Sequence, residues 1–155
     1  MGQRRYQATG FIPVVSPPSR VTRLAADFDI YKGDALFDNG SGYATNQEVT
    51  LASDFLGVAA ADCLNSGGDD LSVEIYPYSS NTLYIVPVGT NAEIDRDDVG
   101  TLINLIAGHN KVAINTTVTT GIGFFVENFD VSTKAVDANE YGYAIGRFRN
   151  QTAQS

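Results

Sequence analysis

No stretch of this chain sustains a long helical period, so its apolar residues must be buried by strands. Runs rich in Val, Ile, Thr, Tyr and Phe alternate with clusters of Gly, Asn, Asp and Ser. That is the pattern of short strands joined by tight turns. Strands are expected at Thr22–Ile30, Ala35–Phe37, Glu48–Leu51, Gly57–Ala60, Leu71–Tyr76, Thr82–Val88, Thr101–Leu105, Lys111–Ile114, Ile122–Asp130 and Tyr141–Arg149. Short strands at such even spacing favour a barrel or sandwich over an open sheet. The expected fold class is all-β: a compact small β-barrel or sandwich with an extended N-terminal arm.

Three turns support this pattern. Asp38-Asn39-Gly40-Ser41-Gly42 and Asn65-Ser66-Gly67-Gly68-Asp69-Asp70 supply residues that accept positive φ, and Ser79-Ser80-Asn81 divides two strongly β-forming runs. The segment Arg96 to Ile106 is ambiguous, because Asp97 or Asp98 could cap a helix carrying Val99, Leu102, Ile103 and Ile106. Gly100 and Thr101 weaken that helix, so one helical turn near Asp97 followed by a strand is expected. In the last strand Tyr141, Tyr143, Ile145 and Arg147 share one face, and Gly142, Ala144, Gly146 and Phe148 the other. The small-residue face reads as the taper inside a small barrel in preference to an intermolecular contact.

Charge is distributed as unevenly as hydrophobicity is evenly. The first 26 residues hold Arg4, Arg5, Arg20, Arg23 and three of the five prolines, with no acidic residue. From Asp27 onward six Lys and Arg face eighteen Asp and Glu, so a +4 arm precedes a −12 body, together −8. The domain organisation read from this is an extended N-terminal arm over 1–21, a single β domain over 22–150 and a short polar tail over 151–155. A chain of this size buries roughly 70% of the surface it exposes when unfolded. The acidic bodies repel each other and attract the arms. They also repel phosphates, so no nucleic-acid partner is expected. Phe11-Ile12-Pro13-Val14-Val15 is too short and proline-broken for a signal peptide, and no run is long enough to span a bilayer. Synthesis without secretion, and no membrane partner, are expected. Cys63 is the sole cysteine, which rules out an intrachain disulfide and a cysteine-based zinc site.

A search for chemistry returns little. His109, the sole histidine, sits in a Gly-containing turn with no activated nucleophile beside it. Cys63 follows an apolar run and Asp62, which makes a small buried residue and not a reactive thiol. Nucleophile-elbow, phosphate-loop, zinc-protease and dinucleotide fingerprints are all missing from the sequence. Glu93, Asp95, Asp97 and Asp98 form the densest acidic cluster, with Asp69 and Asp70 next, but neither has the ligand spacing of a calcium loop. No enzyme activity, metal or cofactor is expected. Lys32-Gly33-Asp34 and the sequons at Asn115 and Asn150 are read as products of turn-rich composition.

Four phrases carry a resemblance: Tyr31-Lys32-Gly33-Asp34-Ala35-Leu36, Phe55-Leu56-Gly57-Val58-Ala59-Ala60, Gly121-Ile122-Gly123-Phe124-Phe125-Val126 and Tyr143-Ala144-Ile145-Gly146-Arg147-Phe148. Together, over roughly Thr22 to Arg149, the chain resembles the small cement or decoration proteins of tailed bacteriophages. The resemblance implies a non-enzymatic virion protein that binds the outside of an assembled capsid, often as a homotrimer, and reinforces contacts between major capsid protein subunits. The implied location is the outer capsid surface, after synthesis in the host cytoplasm. It assigns no individual contact residue.

The residues expected to dock on a neighbouring capsid or cement subunit come from the arm's charge and apolar content: Arg4, Arg5, Tyr6, Phe11, Ile12, Arg20 and Arg23. Removing residues 1 to 20 is expected to leave the body folded and weaken that docking. The alternative is a carbohydrate- or receptor-binding β module of a phage tail or fibre, with Tyr31, Tyr43, Tyr76, Tyr78 and Tyr84 as stacking faces. A third is a carboxylate hydrolase built on Glu93, Asp95 and Asp97.

Overall fold

The computed structural model describes residues 10–47, 54–90, 93–106, 110–114, 122–131 and 142–150. The described residues form strands β1 (Ile12–Val15), β2 (Val21–Leu24), β3 (Ala35–Asp38), β4 (Ala44–Thr45), β5 (Phe55–Ala59), β6 (Ser72–Pro77), β7 (Leu83–Thr90), β8 (Leu102–Leu105), β9 (Val112–Ala113), β10 (Ile122–Asp130) and β11 (Tyr143–Asn150). The chain is nearly all β. Five strands in the order β7-β11-β10-β8-β9 close into a barrel, because β9 pairs with β8 on one side and, in parallel, with β7 on the other. β1 lies antiparallel on the first half of β7, through Ile12↔Ile85 and Val15↔Leu83. A second, antiparallel sheet runs β2-β6-β5-β3-β4.

One core joins the two. Tyr84, Val86, Ile103, Val112, Phe124, Val126, Ala144 and Phe148 from the barrel meet Ala35, Phe37, Phe55 and Val58 from the second sheet. The other face of that sheet buries Leu36, Ala59, Val73 and Ile75 with Ala25, Ile30, Ala44 and Cys63. Sheet alternation alone does not put Phe55 and Val58 on one side, since they are three residues apart. A bulge resolves this: the register with β3 skips Leu56, between Gly57 and Phe55, and Gly57 beside it sits at φ 142°. A Cβ there would lie 2.0 Å from the Tyr76 carbonyl oxygen, so only glycine fits.

The last strand behaves as its two faces suggest. Ala144 and Phe148 point into the shared core, whereas Tyr143 and Ile145 pack outside with Ile85 and Ile12. Gly146 leaves no room for a side chain, since a Cβ on it would meet the Phe125 carbonyl oxygen at 1.9 Å. The ambiguous segment resolves into a 3-10 turn, Arg96–Asp98, followed by β8.

The sequence reading needs correction at the N-terminal side. Phe11 is 1% exposed, and its ring lies 4.7 Å from that of Phe148 and 5.4 Å from that of Phe124. Its amide donates to the Gly33 carbonyl at 2.8 Å. From Gly10 onward the segment read as an arm therefore contributes a core residue and a paired strand, and the extended arm over 1–21 does not reach as far as residue 21. The physical reason is the apolar run from Phe11 to Val15, which gains more by burial and pairing than its proline costs at a sheet edge. The strand expected at Glu48–Leu51 falls outside the described residues.

Candidate functional site

Of the seven expected docking residues, the four that are described, Phe11, Ile12, Arg20 and Arg23, do not act as one free patch. Arg4, Arg5 and Tyr6 lie outside the described residues. Phe11 is core, so its expected role in docking is withdrawn. Ile12 is half-buried in the small outer cluster with Ile85. Arg20 directly precedes β2 and Arg23 lies within it, and both are already engaged. Arg20 donates to Glu74 Oε1 at 3.0 Å and to the Tyr76 hydroxyl at 3.2 Å, with its guanidinium 5.3 Å from the Tyr76 ring centroid. Arg23 donates to Asp38 Oδ2 at 2.7 Å and to the Gly42 carbonyl at 3.4 Å.

What sequence reasoning missed is the apolar surface beside these arginines. β1 ends the six-stranded sheet and β2 ends the five-stranded one, and both leave large side chains in solvent: Val14 44%, Val15 50%, Val21 47% and Leu24 45% exposed. The connection between the strands is held by Thr82, whose hydroxyl donates to the Ser16 carbonyl at 2.8 Å. Ser16 itself is the one described non-glycine residue at positive φ, 53°. Two sheet-end strands carrying valine, leucine and two arginines thus occur within a single short stretch of chain, and the chain directly after β2 bridges to β4 through Ala25 and Ala44. A run of exposed valines around prolines was visible in the sequence, but reading it as an arm hid that it forms sheet edges.

A second feature joins three distant segments. A cleft of about 400 Å³ is lined by Ala25, Ala26, Asp27, Phe28, Asn39, Ser41, Tyr43, Asp69 and Asp70. Its walls are the bend after β2, the β3–β4 hairpin and the Asn65–Asp70 turn. Each wall is fixed by its own short polar residues. Asn65 donates to the Ala25 and Ala26 carbonyls at 3.2 and 3.1 Å and accepts from the Asp69 amide at 3.0 Å. Asp38 Oδ1 accepts from the Gly40 and Gly42 amides at 2.7 and 3.2 Å, and these amides, with Arg23, hold its carboxyl below the usual range. Phe28 is 47% and Tyr43 37% exposed. Asp69 and Asp70 had been noticed as an acidic pair and Tyr43 as a stacking candidate, but no spacing in the sequence connects them.

Several other candidates are engaged in local structure or buried. Asp95 and Asp98 form a reciprocal cap on the 3-10 turn: Asp95 Oδ1 accepts from the Asp97 amide and Asp98 Oδ2 from the Asp95 amide, both at 2.9 Å. Among the described residues no group of three His, Cys, Asp or Glu side chains is placed to hold a metal ion. Cys63 is buried, and burial first, then the Asp29 charge, pushes its thiol pKa up. Tyr84 is 2% exposed in the core and burial raises its phenol pKa, so it is no stacking platform. Tyr76 is occupied by Arg20, while Tyr31 and Tyr78 are exposed outside the cleft. His109 lies outside the described residues. No protein-family model matches the chain, and no curated protein matches it.

Proposed function

We propose that the chain is a non-enzymatic virion structural protein that binds the outer surface of an assembled tailed-phage capsid and stabilises contacts between major capsid protein subunits, alongside neighbouring copies of itself. The supporting observation is the pair of sheet-end strands, β1 and β2, with Val14, Val15, Val21 and Leu24 exposed near Arg20 and Arg23 on an otherwise acidic molecule. Apolar surface rimmed by polar residues is the ordinary composition of a protein-docking surface. The rigid barrel behind it holds the edges in place, and the acidic body keeps free copies apart. Each exposed charge pair contributes only about 0.2 to 1 kcal/mol. Several copies held on a repetitive shell multiply such contacts through effective concentration.

The test is co-sedimentation with expanded, cement-free phage capsids. The full chain, a form lacking residues 1 to 9, and a Val15→Lys/Val21→Lys variant are compared. Saturable binding that weakens in the edge variant supports the reading, and the absence of saturable binding to any shell removes it. A carbohydrate- or receptor-binding tail module is the second reading, favoured by the Phe28 and Tyr43 rings beside polar side chains in one cleft. Glycan-array binding abolished by Tyr43→Ala would establish it instead.

A further inference from the structure

The turn between β3 and β4 holds a set of reacting groups that no docking surface requires. Asn39-Gly40 is the chain's one Asn-Gly pair, and a glycine after asparagine leaves its amide nitrogen unshielded because it has no Cβ. Asn39 Oδ1 accepts two backbone N–H bonds, from Ser41 at 2.9 Å and from Tyr43 at 3.2 Å. Reaching forward to these amides folds the side chain over the Gly40 peptide. It also polarises the Cγ carbonyl, as paired donors do where negative charge develops on an oxygen. The Gly40 N–H donates to Asp38 Oδ1 at 2.7 Å, so a carboxylate already holds the proton that must leave before this nitrogen can act as a nucleophile. Asn39 and Gly40 are both exposed, which admits water, and Asn39 Nδ2 has no hydrogen-bond partner among the described residues. Asn65-Ser66 is the contrast: Asn65 is 1% exposed, and its Nδ2 is held by the Ala25 and Ala26 carbonyls.

We infer that Asn39 is a self-modifying site, at which the folded turn converts its own side-chain amide to a carboxylate. The Gly40 nitrogen attacks Asn39 Cγ, and its proton passes to Asp38 Oδ1. The charge that develops on Asn39 Oδ1 is carried by the Ser41 and Tyr43 amides. The Cγ–Nδ2 bond then breaks, Nδ2 takes the proton from Asp38 and leaves as ammonia, and a succinimide ring joins residues 39 and 40. Water adds to one of the two ring carbonyls. Opening at Cγ gives an aspartyl residue, and opening at the main-chain carbonyl gives an isoaspartyl residue whose backbone runs through the former side chain. Only water is consumed: amide and water become carboxylate and ammonium. Either product adds a negative charge to the cleft wall that Asn39 shares with Asp69 and Asp70. The isoaspartyl form also inserts a methylene into the turn that carries Tyr43. The fold thus sets the rate of a one-way change in the shape and charge of the cleft. This inference concerns the turn alone and stands apart from the capsid reading.

The test follows position 39 in the full chain, held folded at neutral pH in heavy-oxygen water, by peptide mapping and mass spectrometry, with an isoaspartyl methyltransferase to label the isoaspartyl product. The same chain unfolded in guanidinium chloride is the reference. Position 39 is expected to convert at least about tenfold faster in the folded chain than in the unfolded one, a small part of the roughly 10²–10³-fold that a single oriented oxyanion donor contributes. Each conversion should incorporate heavy oxygen, and Asn65 should stay intact in the folded chain. Asp38→Asn keeps an acceptor for the Gly40 N–H but cannot take its proton, so its folded rate should drop to its unfolded rate. Gly40→Ala shields the nitrogen with a Cβ that meets nothing within 4 Å and should also slow conversion. Far-UV dichroism checks that each variant folds, and the folded-to-unfolded ratio of the parent chain decides the matter where one does not. A parent folded rate no higher than its unfolded rate overturns the inference, because the turn then protects Asn39. A folded rate unchanged by Asp38→Asn overturns it equally.

Discussion

Replacing Phe11 by Ala separates a docking arm from a core residue. If the segment were an arm, the substitution would leave stability alone and weaken only association. Phe11 is instead 1% exposed, edge-on to Tyr84 with centroids 6.2 Å apart and tilted against Phe124 and Phe148 at 5.4 and 4.7 Å. Truncating a buried Phe costs about 3–5 kcal/mol in transfer and cavity terms. Three aromatic neighbours put this site in the upper part of that range, since such pairs add about 0.5–1.5 kcal/mol beyond area. A loss of about 4 kcal/mol is a large share of the roughly 5–15 kcal/mol that holds a domain folded. At about 2–4 °C per kcal/mol for a chain of this length, the melting temperature should fall by about 8–16 °C. Urea unfolding followed by far-UV dichroism, with calorimetry, measures both quantities. Phe11→Leu should recover most of the loss because it keeps most of the volume. Phe11→Ala within about 1 kcal/mol of the parent would refute the placement of Phe11 at the centre of the shared core. Deleting residues 1 to 20, by contrast, removes Phe11 and β1 together and should leave a chain that does not fold cooperatively.

Gly57→Ala should lower stability by more than about 3 kcal/mol, since it combines a disfavoured φ with a backbone clash; a urea midpoint near the parent's would show that the bulge relaxes. Asp38 has its folded-state pKa lowered, first by the Gly40 amide and then by Gly42 and Arg23 against the cost of burial. Its stabilisation is therefore complete above the ordinary carboxylate range and is lost as pH falls through the depressed folded value. Asp38→Asn should flatten that part of the acid limb in urea titrations from neutral to acidic pH, and an unchanged limb would contradict the assignment. Asp95→Ala removes the cap of the Arg96–Asp98 turn and should cost about 1 kcal/mol, read by the same titration; no change would mean the turn is held by β8 and β10 alone.

Strand content was legible because periodicity reports burial directly. Ile122–Asp130 forms over the span read from the sequence, and the faces of β11 sort as its alternating sizes imply. β4 was not legible: at two residues it is too short to carry a period, and it exists because the Asp38 turn folds it back on β3. β1 was misread for a different reason. Proline and neighbouring arginines suggested an arm, but Pro13 sits on an edge strand, where its missing N–H costs no ladder hydrogen bond. The cleft was invisible because Asp27, Asn39, Tyr43 and Asp69 meet only after β2, β3 and β4 are in place. Local turn chemistry fixed each wall, and nothing local says that the walls converge.

The two sheet-end strands raise a problem of their own, because exposed valines on outer strands invite association between identical chains. Three features oppose it. The register of β1 shifts between Pro13 and Val15, which breaks the flat ladder another strand would need. Ser16 at φ 53° turns the chain away directly after β1, so the edge is only four residues long. The chain from Asp27 onward carries a net −12, so two copies that approach bring like net charges together over distances comparable to the screening length, about 8 Å at physiological salt. These features act against a second copy and not against a neutral or basic surface that offers apolar contacts. Raising the salt should therefore increase self-association of the free chain while weakening its arginine-dependent contacts, and sedimentation velocity across a salt series reads the first of these. A chain whose sedimentation is unaffected by salt would show that short edges and the bulge suffice without the charge.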